Sequence, residues 1–260
     1  MYLDKKILDF IESSQNRKLD IALTSVVETT GSTYAKVGNI MLVNSQNEFT
    51  GVLGSSYLHN KIFELSHQAI SSKEIQYFES IAQDESSGHG NSKYKIEPFF
   101  YEENYEKLEK SLKNPFSLLI FGSGAHVTTL ILMANLMGWK TTIIDVKMNN
   151  EFVKDADEKI ELKNLEDILT MDLNSFDASV ILSHSPKTDD SYLKALVNSN
   201  INYIGMMGNK KNMQRIKKEF DLETDKRFFA PIGLDIGGNT AQSIALSICA
   251  QIEAKKNNKI

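Results

Sequence analysis

Apolar and polar positions in the first third of the chain change their spacing from one segment to the next. Helical spacing of apolar residues predicts an amphipathic helix over residues 3–16. Residues 20–29 are rich in apolar and β-branched side chains and stop at a turn signal, which predicts a strand. Residues 39–43 and 49–53 flank a polar stretch and predict an antiparallel hairpin.

The segment up to residue 113 continues with helical and polar patterns. A helix is predicted over residues 57–70, and a polar, glycine-bearing surface loop over residues 82–93, before a strand. The charged residues 101–113 predict a connecting helix, which Pro115 ends because the residue before a proline disfavours helix. We therefore expect an N-terminal domain at 1–113 and a second domain at 114–260.

The second domain alternates regularly between strand and helix patterns. Short apolar strands are predicted at residues 117–121, 141–144, 178–183 and 202–204, separated by helical patterns. This alternation is typical of a parallel sheet with helices on its faces. The expected fold class is α/β: a C-terminal Rossmann-like parallel-sheet domain with a smaller N-terminal α+β domain.

Composition narrows the expected function. Hydrophobic residues make up 41% of the 260 and charged residues 24%, as in an ordinary globular protein. The formal net charge of −5 provides no basic field for a phosphate backbone, so no nucleic-acid partner is expected. No apolar run reaches membrane-spanning length, no signal peptide is evident, and the single cysteine excludes an intramolecular disulfide. We expect a cytoplasmic protein without a membrane partner.

A glycine-bearing loop follows the first strand of the second domain. Gly122 permits a tight turn, and Gly124 lets backbone amides, including that of Ser123, approach a pyrophosphate at the helix start. His126 would lie in the first helical turn, and Asp145 ends the second strand, where a carboxylate accepts hydrogen bonds from ribose hydroxyls. A valine replaces the third small residue of the motif, so a structural turn without a ligand is the alternative.

Further candidates follow later strands of the same domain. His184 and Asp189 would line the crevice at the carboxyl ends of the strands. The alternative for the histidine is a packed or solvent-facing side chain, and the aspartate could instead cap a helix starting near residue 191. Gly205, Gly208 and Lys210 combine flexible backbone with a cation and suit an anionic phosphate group such as a pyrophosphate. The alternative for the lysine is the solvent face of a helix.

The last long helix is preceded by two glycines, Gly237 and Gly238. Either Asn239 or Thr240 caps this helix, or its free amides meet a ligand. Cys249 belongs to the apolar stripe of the helix and is expected in the core. The histidines show no metal-ligand spacing, so no metal site is predicted.

Three longer stretches, together with the glycine loop, resemble a known family. Residues 24–43, residues 182–189 with 203–215, and residues 230–252 are similar to the XdhC/CoxI family of xanthine dehydrogenase accessory factors. The resemblance implies a family-specific N-terminal domain and a C-terminal Rossmann domain. It also implies a role: family members bind the molybdenum cofactor, protect it during sulfuration and pass it to a molybdenum hydroxylase.

The sequence departs from the family pattern at one segment of the N-terminal domain. Relatives carry a glycine triplet followed by a cysteine where this chain has Gly54, Ser55, Ser56 and Tyr57. A phenol is ordinarily neutral at neutral pH and is a poor substitute for a thiolate as a soft metal ligand or persulfide carrier. The segment is retained as a cofactor-binding candidate, without sulfur chemistry.

The sequence therefore leaves three hypotheses for function. The first is a cofactor chaperone that binds molybdopterin or a related nucleotide for a xanthine dehydrogenase-like client. The second is an NAD(P)-dependent oxidoreductase that uses the same loop, and the third is a ligand-sensing interaction protein. The catalytic residues are unknown, and the family resemblance leads us to expect a homodimer.

Overall fold

A computed structural model of the protein describes residues 3–81, 90–103, 105–183 and 185–260. The chain divides into two compact units, Met1–Asn114 and Pro115–Ile260. Each unit is built on its own sheet and has its own apolar core. None of the helices within the described ranges is both long and apolar enough to cross a membrane.

The first unit is an antiparallel sheet with helices on both faces. Its elements are α1 (Lys5–Asn16), β1 (Ile21–Thr30), β2 (Ile40–Asn44), β3 (Phe49–Thr50), α2 (Ser56–Ser72), β4 (Gln76–Ser80), β5 (Asn91–Phe99) and α3 (Glu106–Ser111). The strand order is β3-β2-β1-β5-β4, and every neighbouring pair is antiparallel. Apolar residues of α2 pack against one face around Ile96, while α1 and α3 cover the other face around Ile21.

The second unit is a six-stranded parallel sheet with helices on both faces. Its elements are β6 (Ser117–Phe121), α4 (Val127–Leu136), β7 (Lys140–Asp145), β8 (Glu158–Glu161), β9 (Ala178–Ile181), α5 (Pro186–Val197), β10 (Tyr203–Met206), α6 (Lys210–Glu219), β11 (Phe228–Phe229) and α7 (Ala241–Lys256). Helices α4 and α7 pack on the face that carries Leu118 and Ile120. Helices α5 and α6 pack on the face that carries Leu119 and Phe121.

Strand order identifies the architecture of the second unit. The sheet runs β11-β10-β9-β6-β7-β8, which is the doubly wound order of dinucleotide-binding domains when its six strands are numbered by their position in the unit. The order reverses between β6 and β9, which are hydrogen-bonded neighbours. The predicted fold class is therefore confirmed, and the ligand crevice of such a sheet lies at the carboxyl ends of these two strands.

Several elements differ from the sequence-based expectation. The strands β4, β8 and β11 were not predicted, because none of them forms a long apolar run. Residues 91–93 belong to β5 rather than to the predicted loop, whose residues 82–89 lie outside the described ranges. The predicted connecting helix is a 3₁₀ turn at Tyr101–Glu103 followed by the short α3.

Candidate functional site

The loop after β6 makes a tight turn at the point where the strand order reverses. Gly122 has φ +106°, and a Cβ atom there would lie 2.9 Å from the carbonyl oxygen of Leu182 and 2.9 Å from Cα of Ser183. Only glycine fits, because the backbone is left-handed and the loop after β9 occupies the remaining space. Gly122 therefore allows the two loops of the crevice to approach each other closely.

Ser123 and Asp145 form a hydrogen-bonded pair beside this turn. The Ser123 hydroxyl lies 2.7 Å from Oδ2 of Asp145 and 3.1 Å from the carbonyl oxygen of Lys147, and it accepts the Asn149 amide at 3.0 Å. The amide of Val146 donates to Oδ1 of Asp145 at 2.8 Å. Because each carboxylate oxygen accepts more than one hydrogen bond, the half-buried Asp145 keeps acceptor capacity for ligand hydroxyls.

His126 covers the second glycine of the loop. Its Nε2 lies 2.9 Å from the carbonyl oxygen of Leu182, and since a carbonyl only accepts, Nε2 is the donor. A Cβ atom on Gly124 would lie 2.7 Å from the imidazole Cε1. Helix α4 begins at Val127, so His126 immediately precedes the helix rather than lying in its first turn. A phosphate that approached this loop would meet the imidazole as well as the backbone amides.

The β9 side of the crevice carries a second cluster of polar side chains. The Ser183 hydroxyl donates to Oδ1 of the buried Asp189 and lies 2.8 Å from the Thr188 hydroxyl. Helix α5 begins at Pro186, so Asp189 lies inside its first turn. The alternative that Asp189 caps a helix starting near residue 191 is therefore wrong. His184, the other predicted residue of this loop, lies outside the described residues.

Tyr192 lies beneath both sides of the crevice. Its ring stacks on Phe121 at a centroid distance of 4.3 Å, and its phenol oxygen is buried without a partner of normal hydrogen-bond geometry among the described residues. Burial raises the pKa of Tyr192, the charges of Asp145 and Asp189 raise it further, and the Val146 amide opposes them. The phenol thus stays neutral although it lies near carboxylates from both sides of the crevice.

The later glycines differ in their surroundings. Gly205 lies inside β10 and is buried, and a Cβ atom there would lie 2.3 Å from the Ile232 side chain, so it serves strand packing rather than a flexible loop. Gly208 is exposed and precedes α6, and the three atoms nearest to a Cβ there would all belong to the flexible side chain of Met213. Lys210 begins α6, whose buried side includes Met213 and Ile216.

The loop before α7 is exposed and ends in a side-chain cap. Gly237 has φ +76° with open space around it, whereas a Cβ atom on Gly238 would lie 2.4 Å from the Ser243 side chain. The Thr240 hydroxyl accepts the Ser243 amide at 3.1 Å, which confirms the threonine as the cap. Like every helix that follows a strand of this sheet, α7 begins at the edge where the strands end.

The first unit carries the segment that departs from the family pattern. Ser55 caps α2 by accepting the Leu58 amide at 3.4 Å. Ser56 opens the helix, Gly54 precedes the cap, and Tyr57 is 76% exposed. The phenol is therefore accessible to solvent at the N-terminus of a 17-residue helix.

Among the described residues, neither the cysteine nor the possible metal ligands form a site for a soft metal. Cys249 is buried in α7, as predicted, and burial raises the pKa of its thiol to about 12, with the Glu253 charge adding to the shift. A thiol with that pKa is protonated at neutral pH and is a poor nucleophile. Within the ranges that the structure describes, no group of three histidine, cysteine or acidic side chains could hold a metal ion.

Neither Ser183 nor Tyr192 of the crevice was predicted from the sequence as a site residue. Ser183 is the last residue of the strand predicted at 178–183, and its sequence context does not indicate a site. Its place in the site becomes visible only through its hydrogen bond to Asp189. Tyr192 belongs to the apolar stripe of α5 with Leu193 and Leu196, so its sequence context is that of a core residue. Only the tertiary structure reveals that its phenol lies near two carboxylates.

Family models match two segments of the chain. A model described as the XdhC Rossmann domain matches residues 118–252, and a model described as the XdhC and CoxI family matches residues 14–80. The first match covers the parallel sheet and its helices, from β6 to α7. The second begins at the end of α1 and extends through β4.

Individual relatives support the same assignment. The chain is 25% identical over 138 residues to a Bacillus subtilis protein described as a probable subunit of xanthine dehydrogenase, covering 52% of this chain and 41% of that protein. It is 22% identical over 255 residues to the "Uncharacterized protein YqeB" of Escherichia coli, covering 94% and 45% respectively. The chain thus spans less than half the length of either relative.

A solved structure shares the whole architecture. A Bacillus halodurans protein described as a xanthine dehydrogenase superimposes with a TM-score of 0.82 at 18% identity, covering 100% of this chain and 97% of that chain. At this identity the likeness shows a common fold. Because the Rossmann-domain model alone matches more than half of the residues, the chain belongs to the XdhC and CoxI family.

Proposed function

We propose that this chain is an accessory factor for a xanthine dehydrogenase-type molybdenum hydroxylase and binds a molybdopterin-type cofactor in the crevice between β6 and β9. The observation that carries the proposal is the family match across that crevice, where the hydrogen-bonded Ser123 and Asp145 are positioned for a hydroxyl-bearing ligand. In this role the protein binds and releases a ligand rather than catalysing turnover.

The residues of the crevice fit the polar parts of such a ligand. Asp145 accepts hydroxyl donors, and the amides ahead of α4 together with His126 meet a phosphate. A molybdopterin with an attached nucleotide presents both groups. When bound, the cofactor would supply the redox chemistry of its client, whereas this chain would orient it and exclude solvent.

Sulfur chemistry does not fit the residues present. Tyr57 stands where relatives carry the cysteine, and the buried Cys249 has a pKa raised to about 12. Tyr57 has no sulfur, and the Cys249 thiol is protonated at neutral pH. Neither side chain can therefore bind a soft metal as a thiolate or carry a persulfide. The proposed function is therefore noncovalent cofactor binding, with sulfuration left to another protein.

A second candidate function is binding of a nicotinamide dinucleotide. The position of Asp145 at the end of the second strand of a doubly wound sheet favours it, since this is where a carboxylate binds the adenosine ribose. The missing third small residue of the glycine motif argues against it, because Val127 stands there.

A loading and transfer experiment distinguishes these functions. The purified protein is incubated with molybdenum cofactor released from a donor enzyme, and pterin and molybdenum are measured after gel filtration. We expect one cofactor per chain, little cofactor on the Gly124→Val variant, and activation of a cofactor-free xanthine dehydrogenase by the loaded parent. NAD⁺ binding without pterin binding would favour the second candidate instead.

A further inference from the structure

A buried tyrosine usually finds a partner for its hydroxyl, and two tyrosines of this chain follow that rule. Tyr203 stacks on Phe229 at a centroid distance of 4.8 Å, and its hydroxyl donates to Oε1 of Gln251 at 2.7 Å. Tyr105 is also buried, and its hydroxyl donates to the Leu19 carbonyl. In both cases the hydroxyl has a structural partner, so folding alone explains why the residue is a tyrosine.

Tyr192 is buried in the same way, but its hydroxyl has no structural partner. The residue is 0% exposed, and its ring stacks on Phe121 as that of Tyr203 stacks on Phe229. Its phenol oxygen has no partner of normal hydrogen-bond geometry among the described residues. A buried hydroxyl without a partner destabilises a fold, whereas a phenylalanine would keep the stacking and the apolar contacts without that cost. Packing therefore explains the ring of Tyr192 but not its hydroxyl.

The phenol of Tyr192 lies at the carboxyl ends of the strands, close to Asp145. The Val146 amide donates to Oδ1 of Asp145 at 2.8 Å and also acts on the phenol oxygen, which indicates that the two oxygens are neighbours. The charge of Asp145 raises the pKa of Tyr192 more than the charge of Asp189 does, which also indicates that Asp145 is the nearer carboxylate. Because an amide only donates, the phenol proton is still without an acceptor.

We propose that Tyr192 is a positioning residue for Asp145: in the ligand-bound state its phenol donates to the Asp145 carboxylate and holds it toward two adjacent hydroxyls of a ribose. This inference rests on the ligand-binding function proposed above.

The acceptor positions of Asp145 are sufficient for this arrangement. A carboxylate offers about four of them, and the Val146 amide and the Ser123 hydroxyl use two. Two ligand hydroxyls and the phenol would need three more, so one of the present donors must leave. The Ser123 hydroxyl can do so, because the Lys147 carbonyl oxygen lies 3.1 Å from it as an alternative acceptor. The phenol proton then gains the acceptor that it lacks in the ligand-free protein.

Thermal unfolding and titration calorimetry of two tyrosine variants test the proposal on the full chain. The ribose-bearing probes are NAD⁺ and a molybdopterin dinucleotide released from a donor enzyme. Tyr192→Phe should not lower Tm, because it removes a hydroxyl without a partner, but should bind these probes about tenfold more weakly. Tyr203→Phe is the matched control. It removes a hydroxyl that has a partner, so it should lower Tm by about 2–4 °C and leave Kd unchanged.

A double-mutant cycle separates positioning of Asp145 from a general effect on packing. In the Asp145→Asn background, Tyr192→Phe should change Kd for the same probes by less than about twofold, because the charged acceptor of the phenol has been removed. A pterin without a nucleotide should bind Tyr192→Phe and the parent equally well.

The possible outcomes distinguish this proposal from the function on which it rests. Equal affinity of the parent and Tyr192→Phe for the ribose-bearing probes overturns the proposal and leaves cofactor binding standing, as does a tenfold loss that persists in the Asp145→Asn background. A clear fall in Tm for Tyr192→Phe would show that the hydroxyl has a structural role and would also overturn it. A parent that binds bare pterin but neither ribose-bearing probe contradicts this proposal alone, whereas a parent that binds none of the three probes contradicts the proposed function as well.

Discussion

Replacement of Asp145 by asparagine should weaken a ribose-bearing ligand while leaving the fold almost unchanged. In the parent, the Val146 amide donates to Oδ1 of Asp145 at 2.8 Å, and the Ser123 hydroxyl lies 3.1 Å from the Lys147 carbonyl oxygen. The asparagine keeps an acceptor for the Val146 amide, and the Ser123 hydroxyl can still donate to the Lys147 carbonyl. The free energy of unfolding should therefore fall by less than about 1 kcal/mol, the net value of one ordinary hydrogen bond.

The effect on binding should be larger than the effect on stability. A hydrogen bond to a charged group contributes about 1.5–3 kcal/mol, which corresponds to an increase of about 10-fold to 150-fold in Kd. Titration calorimetry with a ribonucleotide such as NAD⁺ measures this change. Asp172→Asn is the matched control, because it makes the same substitution on an exposed loop that precedes β9 and should leave Kd unchanged.

The choice of ligand separates the possible explanations. A pterin without a nucleotide should bind Asp145→Asn and the parent equally well. If the ribonucleotide also binds both proteins equally, Asp145 is not a ribose ligand. If the parent binds no ribonucleotide at all, the dinucleotide interpretation of the crevice is refuted.

Three further predictions concern other residues of the second unit. Gly124→Val should abolish ligand binding in calorimetry but retain the circular dichroism of the parent, because the new side chain displaces the His126 ring rather than backbone. Cys249 should resist alkylation at pH 8 until the protein unfolds, and a sulfur donor should leave no persulfide on it, because its thiol pKa is raised to about 12. Asp225→Asn should lower the free energy of unfolding at neutral pH, because Arg227 holds the pKa of this carboxyl below its usual value. Since the lowered pKa stabilises the fold only while the carboxyl is ionised, the difference from the parent should disappear in acid, below the folded-state pKa.

Each of these predictions has a contradicting result. Undiminished affinity in folded Gly124→Val would remove the glycine loop from the site. A stoichiometric persulfide on the parent that is lost in Cys249→Ser would show that the buried thiol is reactive. A destabilisation by Asp225→Asn that is equal at neutral and acid pH would show that the charge of the carboxylate is not the cause.

The fold was predictable wherever hydrophobic periodicity reports burial directly. The strand Ser117–Phe121 was predicted with its observed limits, because its apolar run is bounded by Pro115 and Gly122. The edge strand β8 was missed because most of its side chains are charged and solvent-exposed. Local sequence cannot reveal such a strand, since its pairing depends on β7 lying beside it.

The candidate site was only partly predictable, because its chemistry depends on contacts between distant segments. The GxG spacing and the position of Asp145 followed from the strand-helix-strand pattern. The coverage of Gly124 by His126, and the position of Tyr192 near Asp145 and Asp189, follow instead from strand order and side-chain packing. Neither is encoded in the spacing of a single motif.

Native mass spectrometry of the protein purified from its own host tests the proposed function most directly. We expect a noncovalent adduct with the mass of a molybdopterin-type cofactor, lost on denaturation and absent from Gly124→Val. An adduct with the mass of a nicotinamide dinucleotide, or parent protein without any bound ligand under conditions in which a molybdenum hydroxylase is active in that host, would contradict the proposed cofactor-binding role.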